Sequence, residues 1–384
     1  MIKPPVLSII AVIIAFNVNN IAGQEKEKPV TLKGYVTTLQ NAMFDSLSGP
    51  VSYNNILHNR LNFKGYINNN IILGIELRNR LFTGDLARTG NFYSDITGRD
   101  NGWFDMSWNV IKENSFFLNT TIDRLWIALK LGKLEITTGR QRINWGQAIV
   151  WNPNDIFNAY SFFDFDYVER PGSDALRFQY FTSSSSIVEL AVKADSEDRV
   201  TAAGLIRFNR WGYDIQFLGG YSNSSDIVAG AGWSGTLLNT SFRGEISWFY
   251  PVNKGEKSTL IATAGIDKIF HDNSVLQIEL MYSGNPVALN DINILYSGTL
   301  SAKDLAFSKF TAFGSFTWTL TPLLNTGISA MWFPDLKGYF AGPSLDYSMS
   351  ENIDLSVIWQ HFNIHTGSIK TRMNLAFLRL KYSF

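Results

Sequence analysis

Charged side chains are concentrated around one long stretch that lacks a repeating pattern, residues 144–174. Arg140 and Arg142 alternate just before this stretch, and Arg177 follows it. Its own charged residues are Asp155, Asp164, Asp166, Glu169, Arg170 and Asp174. Carboxylates beside arginines form charge-assisted hydrogen bonds, and a ring of charges at a constriction selects which ions or solutes pass. The stretch therefore predicts a charged constriction.

The same stretch is rich in aromatic side chains, which we expect to be packed. Seven of them are Trp145, Trp151, Phe157, Tyr160, Phe162, Phe163 and Phe165. Loops of this length are uncommon in compact domains and are often functional when they occur. Because these aromatics would form a large apolar patch in water, the sequence favours a segment folded inward. An outward surface loop that caps the molecule is the alternative.

Enzyme motifs are weakly represented. The chain contains no Gly-x-Ser-x-Gly, no phosphate-binding Gly-Lys-Ser/Thr loop and no His-Glu-x-x-His sequence. His361 and His365 would share one face of an extended strand, but no third ligand lies close in sequence. We therefore expect no catalytic residue, no metal and no cofactor.

Period-two alternation of apolar and polar residues runs through most of the chain. In IILGIELRNRLF, the apolar residues at 71, 73, 75 and 77 share one face, and charged residues occupy the other. Runs of about 8 to 12 residues have the length of a tilted strand that crosses a bilayer. The charged residues predicted to face inward are Glu76, Arg78, Arg80, Arg124, Lys130, Arg243, Glu245 and Lys381.

Two all-β folds are compatible with such alternation. A soluble sandwich buries one face of each sheet, but its core would have to hold an aromatic content of 14%. A transmembrane barrel turns its apolar face to lipid and leaves no open sheet edge. The last residues, MNLAFLRLKYSF, alternate and stop at Phe384, as in the closing strand of bacterial outer-membrane proteins. The sequence predicts a transmembrane antiparallel up-and-down β-barrel.

The strand count follows from parity. Short turns and three long gaps, 82–120, 144–174 and 284–306, give about 18 strands when the long gaps share one end. Residues 103–110 must then belong to the first gap, paired at most locally, because a spanning strand there would make the count odd. A count of about 16 is possible if weak runs such as 201–208 are misjudged.

The first 23 residues predict export. Lys3, a short apolar run and the small residues Ala22 and Gly23 describe a signal peptide, so residues 24–384 would form the barrel. Equal numbers of acidic and basic residues argue against nucleic acid as a partner. The expected partners are outer-membrane lipid, small polar solutes and the barrel-assembly machinery, which would read Phe384.

The segment 122–181 carries a family resemblance. GRQRINWG, preceded by IDRLWIALKLGKLEITT, resembles outer-membrane porins of the alginate-export and phosphate-selective type. The continuation VWNPNDIFN resembles uncharacterised outer-membrane proteins of the Bacteroidetes. The resemblance implies that Arg140 points into the lumen beside the constriction.

These observations predict an outer-membrane channel for passive diffusion of small polar or charged solutes. The alternative is a closed barrel that serves as a binding or assembly scaffold for an export or polysaccharide-handling complex. That alternative expects no conductance and a lumen filled by the loops 82–120 and 144–174.

Overall fold

The computed structural model describes residues 29–46, 48–160, 162–163, 170, 172–289, 301–366 and 369–384. The predicted signal peptide, residues 1–23, lies outside the described residues. Within these ranges, no helix is long and apolar enough to cross a membrane.

The described residues form 19 strands, one short α-helix and one 3-10 turn. The strands are β1 (Val30–Phe44), β2 (Val51–Tyr66), β3 (Ile71–Gly84), β4 (Ser107–Lys112), β5 (Phe116–Leu131), β6 (Leu134–Gln141), β7 (Ser173–Ser183), β8 (Ser186–Ala194), β9 (Val200–Arg210), β10 (Tyr213–Ser222), β11 (Asp226–Leu237), β12 (Thr240–Pro251), β13 (Thr259–Ile269), β14 (Val275–Ser283), β15 (Phe310–Thr321), β16 (Leu324–Phe333), β17 (Gly338–Ser350), β18 (Ile353–Thr366) and β19 (Ile369–Ser383). Helix α1 is Asn91–Thr97, and the 3-10 turn is Leu86–Arg88.

The sheet closes on itself as an antiparallel barrel. Apart from β4, each strand pairs with its neighbours in chain order, and β1 pairs with β19 from Tyr35 opposite Ser383 to Phe44 opposite Asn374. The backbone of Gly34 exchanges two hydrogen bonds with that of Phe384, at 2.9 and 3.0 Å, so the last residue belongs to the seam. Closure removes the free sheet edges.

The predicted 18-strand barrel is confirmed. The nineteenth strand, β4, pairs only with the upper part of β5, from Ser107 opposite Thr121 to Lys112 opposite Phe117, while β3 pairs directly with β5. Residues 107–110 are therefore paired only locally, as the parity argument required. The lower count of 16 is wrong, because residues 201–208 lie within the regular strand β9.

The long connections are confined to one end of the barrel. At the end that holds Val30 and Phe384, eight connections of two to five residues join successive strands, from 67–70 to 351–352. All three predicted long gaps lie at the other end, because an even number of strands separates them. Porin-type barrels have this asymmetry.

The two faces of the wall differ as the alternation predicts. Ile246, Trp248 and Tyr250 on β12 are 39%, 45% and 51% exposed, whereas Glu245, Ser247 and Phe249, which alternate with them, are at most 1% exposed. The residues exposed on the outer face are apolar, which suits contact with hydrocarbon. The buried ones face the interior, where other parts of the chain cover them.

A β-bulge in β5 changes which residues face inward. Glu76 lies opposite Arg124, and Leu77 lies opposite Ile122, so Asp123 is the extra residue. A bulge shifts the alternation by one position. Consequently the consecutive residues Asp123 and Arg124 are both buried, at 3% and 5% exposure.

Strand β6 is short and leaves a gap in the wall. It stops at Gln141, and its other neighbour β7 begins only at Ser173. Above them, β4 covers the edge of β5, and Gly102 forms an isolated bridge to Asp195 beyond the end of β8. Residues 98–112, which we call the wall segment, thus complete the wall where the chain leaves it.

Gly139 allows the chain to leave the wall at the end of β6, and a substitution there tests this role. Its φ of +106° is a conformation that other residues adopt at a cost of about 1–3 kcal/mol. An added Cβ would also lie 2.2 Å from the carbonyl oxygen of Leu125. We expect Gly139→Ala to lower the stability to urea, measured by the loss of β-sheet circular dichroism.

The matched control is Gly314→Ala on β15, where an added Cβ meets no atom within 4 Å. Equal stability of the two variants would contradict the strain assigned to position 139.

Candidate functional site

The chain between β6 and β7, residues 142–172, forms the candidate site and is called the inner segment here. Its apolar side chains are buried: Ile143 is 0%, Trp145 1%, Trp151 6% and Phe157 2% exposed. These residues pack in the same cluster as inward side chains of many wall strands, including Phe249 on β12. The described part of the segment therefore lies against the inner face of the barrel.

Glu245 on β12 holds the first part of the inner segment. Its carboxylate accepts hydrogen bonds from the backbone N–H groups of Ala148 and Asn154, both at 2.8 Å, and from that of Gln147. The Glu245 side chain is completely buried. Irregular backbone has no ladder partners of its own, so a buried acceptor has to satisfy its N–H groups. Glu245 provides that acceptor.

Glu279 on β14 does the same for the next residues. Its carboxylate accepts from the N–H groups of Ile149, Val150 and Trp151 at 2.7, 3.0 and 2.9 Å. Successive N–H groups that converge on one anion form a nest. Together the two glutamates satisfy six N–H groups of the inner segment, and hydrogen bonds to charged acceptors are stronger than neutral ones.

Further contacts continue along the wall. The Trp145 indole donates to Glu189 on β8 at 2.5 Å, and Gln216 on β10 donates to the Trp145 carbonyl oxygen at 2.7 Å. Ser247 on β12 donates to Asn154 at 2.7 Å. Glu189 also receives a bidentate pair of hydrogen bonds from Arg177, both at 2.7 Å. The charge predicted at Arg177 is thus neutralised within the wall.

Aromatic packing carries the inner segment across to the opposite strands. Trp151 and Phe162 lie edge-on to Phe313 of β15, with ring centroids 6.3 and 5.3 Å apart. Phe163 packs on Phe340 of β17 and Phe362 of β18, both at 5.1 Å. The described residues of the segment therefore contact strands from β8 to β18.

A second long connection, residues 284–309, joins this packing. Its described residues Leu289, Leu305, Ala306 and Phe307 belong to the same buried cluster. By contrast, the buried apolar residues near α1, Phe82, Ala87 and Phe117, form a separate small cluster. The described residues of the inner segment and of the 284–309 connection therefore pack together inside the barrel, whereas Phe82, Ala87 and Phe117 pack apart from them.

Arg140 occupies a buried ion-pair network. Its guanidinium donates to Asp174 at 2.7 and 2.9 Å, to Asp100 at 2.7 Å and to the carbonyl oxygen of Phe104 at 2.6 Å. Only 4% of the Arg140 side chain is exposed. Asp100 and Phe104 belong to the wall segment, so Arg140 and Asp174 fasten that segment to the end of β6. A role for Arg140 in lining a pore stays a prediction.

A second network covers the inner faces of β2, β3 and β5. Asp123 pairs with Arg60, and with Arg78 at 3.2 Å; Arg60 also pairs with Glu76. Arg80 donates to Asn119 at 3.1 Å. Sequence reasoning missed Arg60 and Asp123. Alternation within LHNRLNF could have indicated Arg60, but the bulge conceals Asp123.

The return of the inner segment brings several charges together. Arg124 donates to the carbonyl oxygen of Arg170 at 2.5 Å, and the Arg170 guanidinium lies 3.9 Å from Asp155 and also donates to the Tyr160 hydroxyl. Arg142 is exposed. Asp155 is fully buried, and this burial raises the pKa of its carboxyl to about 6. Arg170 keeps 22% of its side chain exposed.

Of the predicted site residues, Asp164, Asp166 and Glu169 lie outside the described residues. His361 accepts or donates a hydrogen bond of 2.8 Å at Nδ1 with Asn374. Within the described ranges, no group of three potential ligands could hold a metal.

The comparisons with known proteins agree with this fold. No family model and no curated protein matches the chain. Among solved structures, OccAB4 of Acinetobacter baumannii matches with a TM-score of 0.60 and 9% identity, over 94% of this chain and 100% of that one. OccAB2 of the same organism gives 0.60 and 10%, over 92% and 98%. OccK7 (OpdD) of Pseudomonas aeruginosa gives 0.57 and 8%, over 92% and 99%.

These structural neighbours are outer-membrane porins. At such low sequence identity the likeness establishes the fold: the chain is a closed antiparallel β-barrel with 18 transmembrane strands.

Removal of one glutamate anchor should loosen the inner segment. In Glu279→Ala, three N–H groups lose their acceptor, at a cost of about 1–3 kcal/mol for each buried group left unsatisfied. We expect faster proteolytic cleavage within residues 147–154 of the detergent-solubilised protein, detected by mass spectrometry. Glu135→Ala, at the opposite end of the barrel and 3.9 Å from Lys130, is the control. Equal cleavage of both variants would refute the anchoring role.

Loss of Arg140 should release the wall segment. Arg140→Gln leaves Asp100 and Asp174 buried without their cation, at a cost of about 3–5 kcal/mol. We expect faster amide hydrogen exchange in residues 100–106, followed by mass spectrometry. The control is Arg99→Gln, also in the wall segment, which removes only an exposed ion pair with Glu197 and should leave the exchange unchanged. An unaltered exchange in Arg140→Gln would show that the network does not hold the segment.

Proposed function

We propose that this protein is a bacterial outer-membrane channel through which small polar or charged solutes diffuse passively, and that the inner segment is its restriction. The observation that carries the proposal is the fastening of irregular backbone across the inner face by Glu245 and Glu279. A segment fixed in this way narrows a barrel without requiring the barrel to change shape. The proposal assigns no reaction to the protein.

The burial of three acidic side chains beneath the inner segment supports a preference for anions. Glu189, Glu245 and Glu279 are buried under the inner segment and accept its hydrogen bonds. Their carboxylate oxygens are therefore occupied by protein donors and do not contact a passing ion. Arg177 pairs with Glu189 in the same wall, so the charge along the solute path depends on the residues that stay accessible.

Basic residues remain accessible on the part of the interior that the inner segment leaves uncovered. Arg142 is exposed, Arg170 is partly exposed, and Arg379 and Lys381 on β19 are half-buried. Fixed cations along a narrow path concentrate anions and repel cations. We therefore infer that small anions pass more readily than cations of the same size.

The finer family assignment stays a prediction. Residues 122–181 resemble porins of the alginate-export and phosphate-selective type, but the resemblance does not itself specify a solute for this chain, whose acidic and basic residues are equal in number. Export by a signal peptide in residues 1–23 and recognition of Phe384 by the assembly machinery are likewise proposed. The position of Phe384 in the barrel seam supports the second point.

Purified protein in planar bilayers tests the proposal. We expect discrete channels, with reversal potentials in a salt gradient that indicate anion preference. The double variant Arg142→Gln, Arg170→Gln should reduce the anion-to-cation permeability ratio by about fivefold per charge, because a unit charge contributes on the order of 1 kcal/mol at a distance of about 16 Å and an effective dielectric constant of about 20.

Arg88→Gln is the matched control, since Arg88 is 66% exposed at the rim and pairs only weakly with Asp85. It should leave the permeability ratio unchanged. Absence of any conductance from wild-type protein would contradict the channel and favour the scaffold alternative.

A further inference from the structure

Among the described residues of the inner segment, Asp155 is the most enclosed charged group. Its side chain is 0% exposed. One carboxylate oxygen accepts a long hydrogen bond of 3.4 Å from the backbone N–H of Trp145. The other oxygen accepts no hydrogen bond among the described residues and lies 3.9 Å from the Arg170 guanidinium. A buried carboxylate with so few donors is poorly stabilised in its charged form.

Cations surround this carboxyl on several elements. Arg142 faces it from the end of β6, Arg170 from the return of the inner segment, and Lys193 from β8. Glu245 on β12 and the Tyr160 hydroxyl are the other titratable groups that face it. Three cationic side chains and two carboxyl groups thus set the local charge, and one proton taken up by Asp155 changes that charge by one unit.

The Arg170 backbone is held independently of Asp155. Arg124 donates to the Arg170 carbonyl oxygen at 2.5 Å, and Tyr160 accepts from the Arg170 guanidinium. A proton on Asp155 would therefore change the charge beside Arg170 while these two contacts keep Arg170 in place. Arg170 keeps 22% of its side chain exposed, so that change occurs beside a solvent-accessible guanidinium.

We propose that Asp155 is a positioning residue that makes the ion selectivity of the channel depend on pH. When its carboxyl takes up a proton, Arg170 loses its partner carboxylate and the anion preference increases. This inference rests on the proposed channel function. It assigns to the inner segment a response to acidification that its role as a fixed restriction does not require.

The direction follows from the environment of the carboxyl. Burial raises the pKa of Asp155 from its ordinary value to about 6. The group is thus ionised at neutral pH and protonated in mild acid, a range in which ordinary carboxyls remain charged. The net positive charge near Arg170 rises by one as the pH falls through the pKa.

The test is the anion-to-cation permeability ratio in planar bilayers, measured in a potassium chloride gradient from about pH 8 to about pH 5. For wild-type protein we expect a severalfold rise of the ratio on acidification, with a midpoint at about 6. Asp155→Asn should show the high ratio at every pH, without the transition. Asp155→Glu keeps a titratable carboxyl and should keep a transition at a shifted midpoint.

Asp267→Asn is the control, because Asp267 is an inner-wall carboxylate paired with Arg243 on β12. It should retain the wild-type transition. A transition that persists in Asp155→Asn, an unchanged midpoint in Asp155→Glu, or a flat wild-type profile in a conducting channel would overturn the role of Asp155 alone. Lack of conductance in the wild type would overturn the channel function itself.

Discussion

The structure depends on satisfying the backbone of an irregular chain inside a closed barrel. Strand residues pair with their neighbours, but residues 147–154 have no ladder and lie away from bulk water. Glu245 and Glu279 resolve this by accepting six N–H groups from the inner segment. Without such acceptors, buried donors would favour an outward path for the chain.

A chain that turns inward also leaves a hole in the wall, and the molecule closes it with another segment. Strand β6 stops early, the glycine at 139 allows the change of direction, and Arg140 immediately afterwards fastens residues 100–106. The two features are coupled, because the last residues of β6 both release the inner segment and hold its replacement. This explains why β4 pairs locally and does not span the barrel.

The same arrangement separates charges that are balanced in the sequence. Acids at 189, 245 and 279 become hydrogen-bond acceptors for the inner segment or its neighbours, and Asp123 is enclosed by arginines. Arginines at 142 and 170 stay partly or fully accessible. The inner segment therefore decides which charges stay accessible, and Asp155 lies between its buried acceptors and the accessible Arg170.

The sequence by itself determined the barrel, its 18 strands and the end at which the long gaps lie, because alternation and turn spacing are local properties of the chain. It also indicated that residues 103–110 do not span, through parity. Only the tertiary structure decided which acids meet the inner segment: Glu245 and Glu279 lie 91 to 130 residues away from their donors, and alternation marks them only as inward. The sequence also could not show that Arg140 is buried and Arg142 exposed, because alternation places both on the same face. The difference arises because the wall segment packs against Arg140. Long-range partners of this kind leave no periodic trace in the sequence.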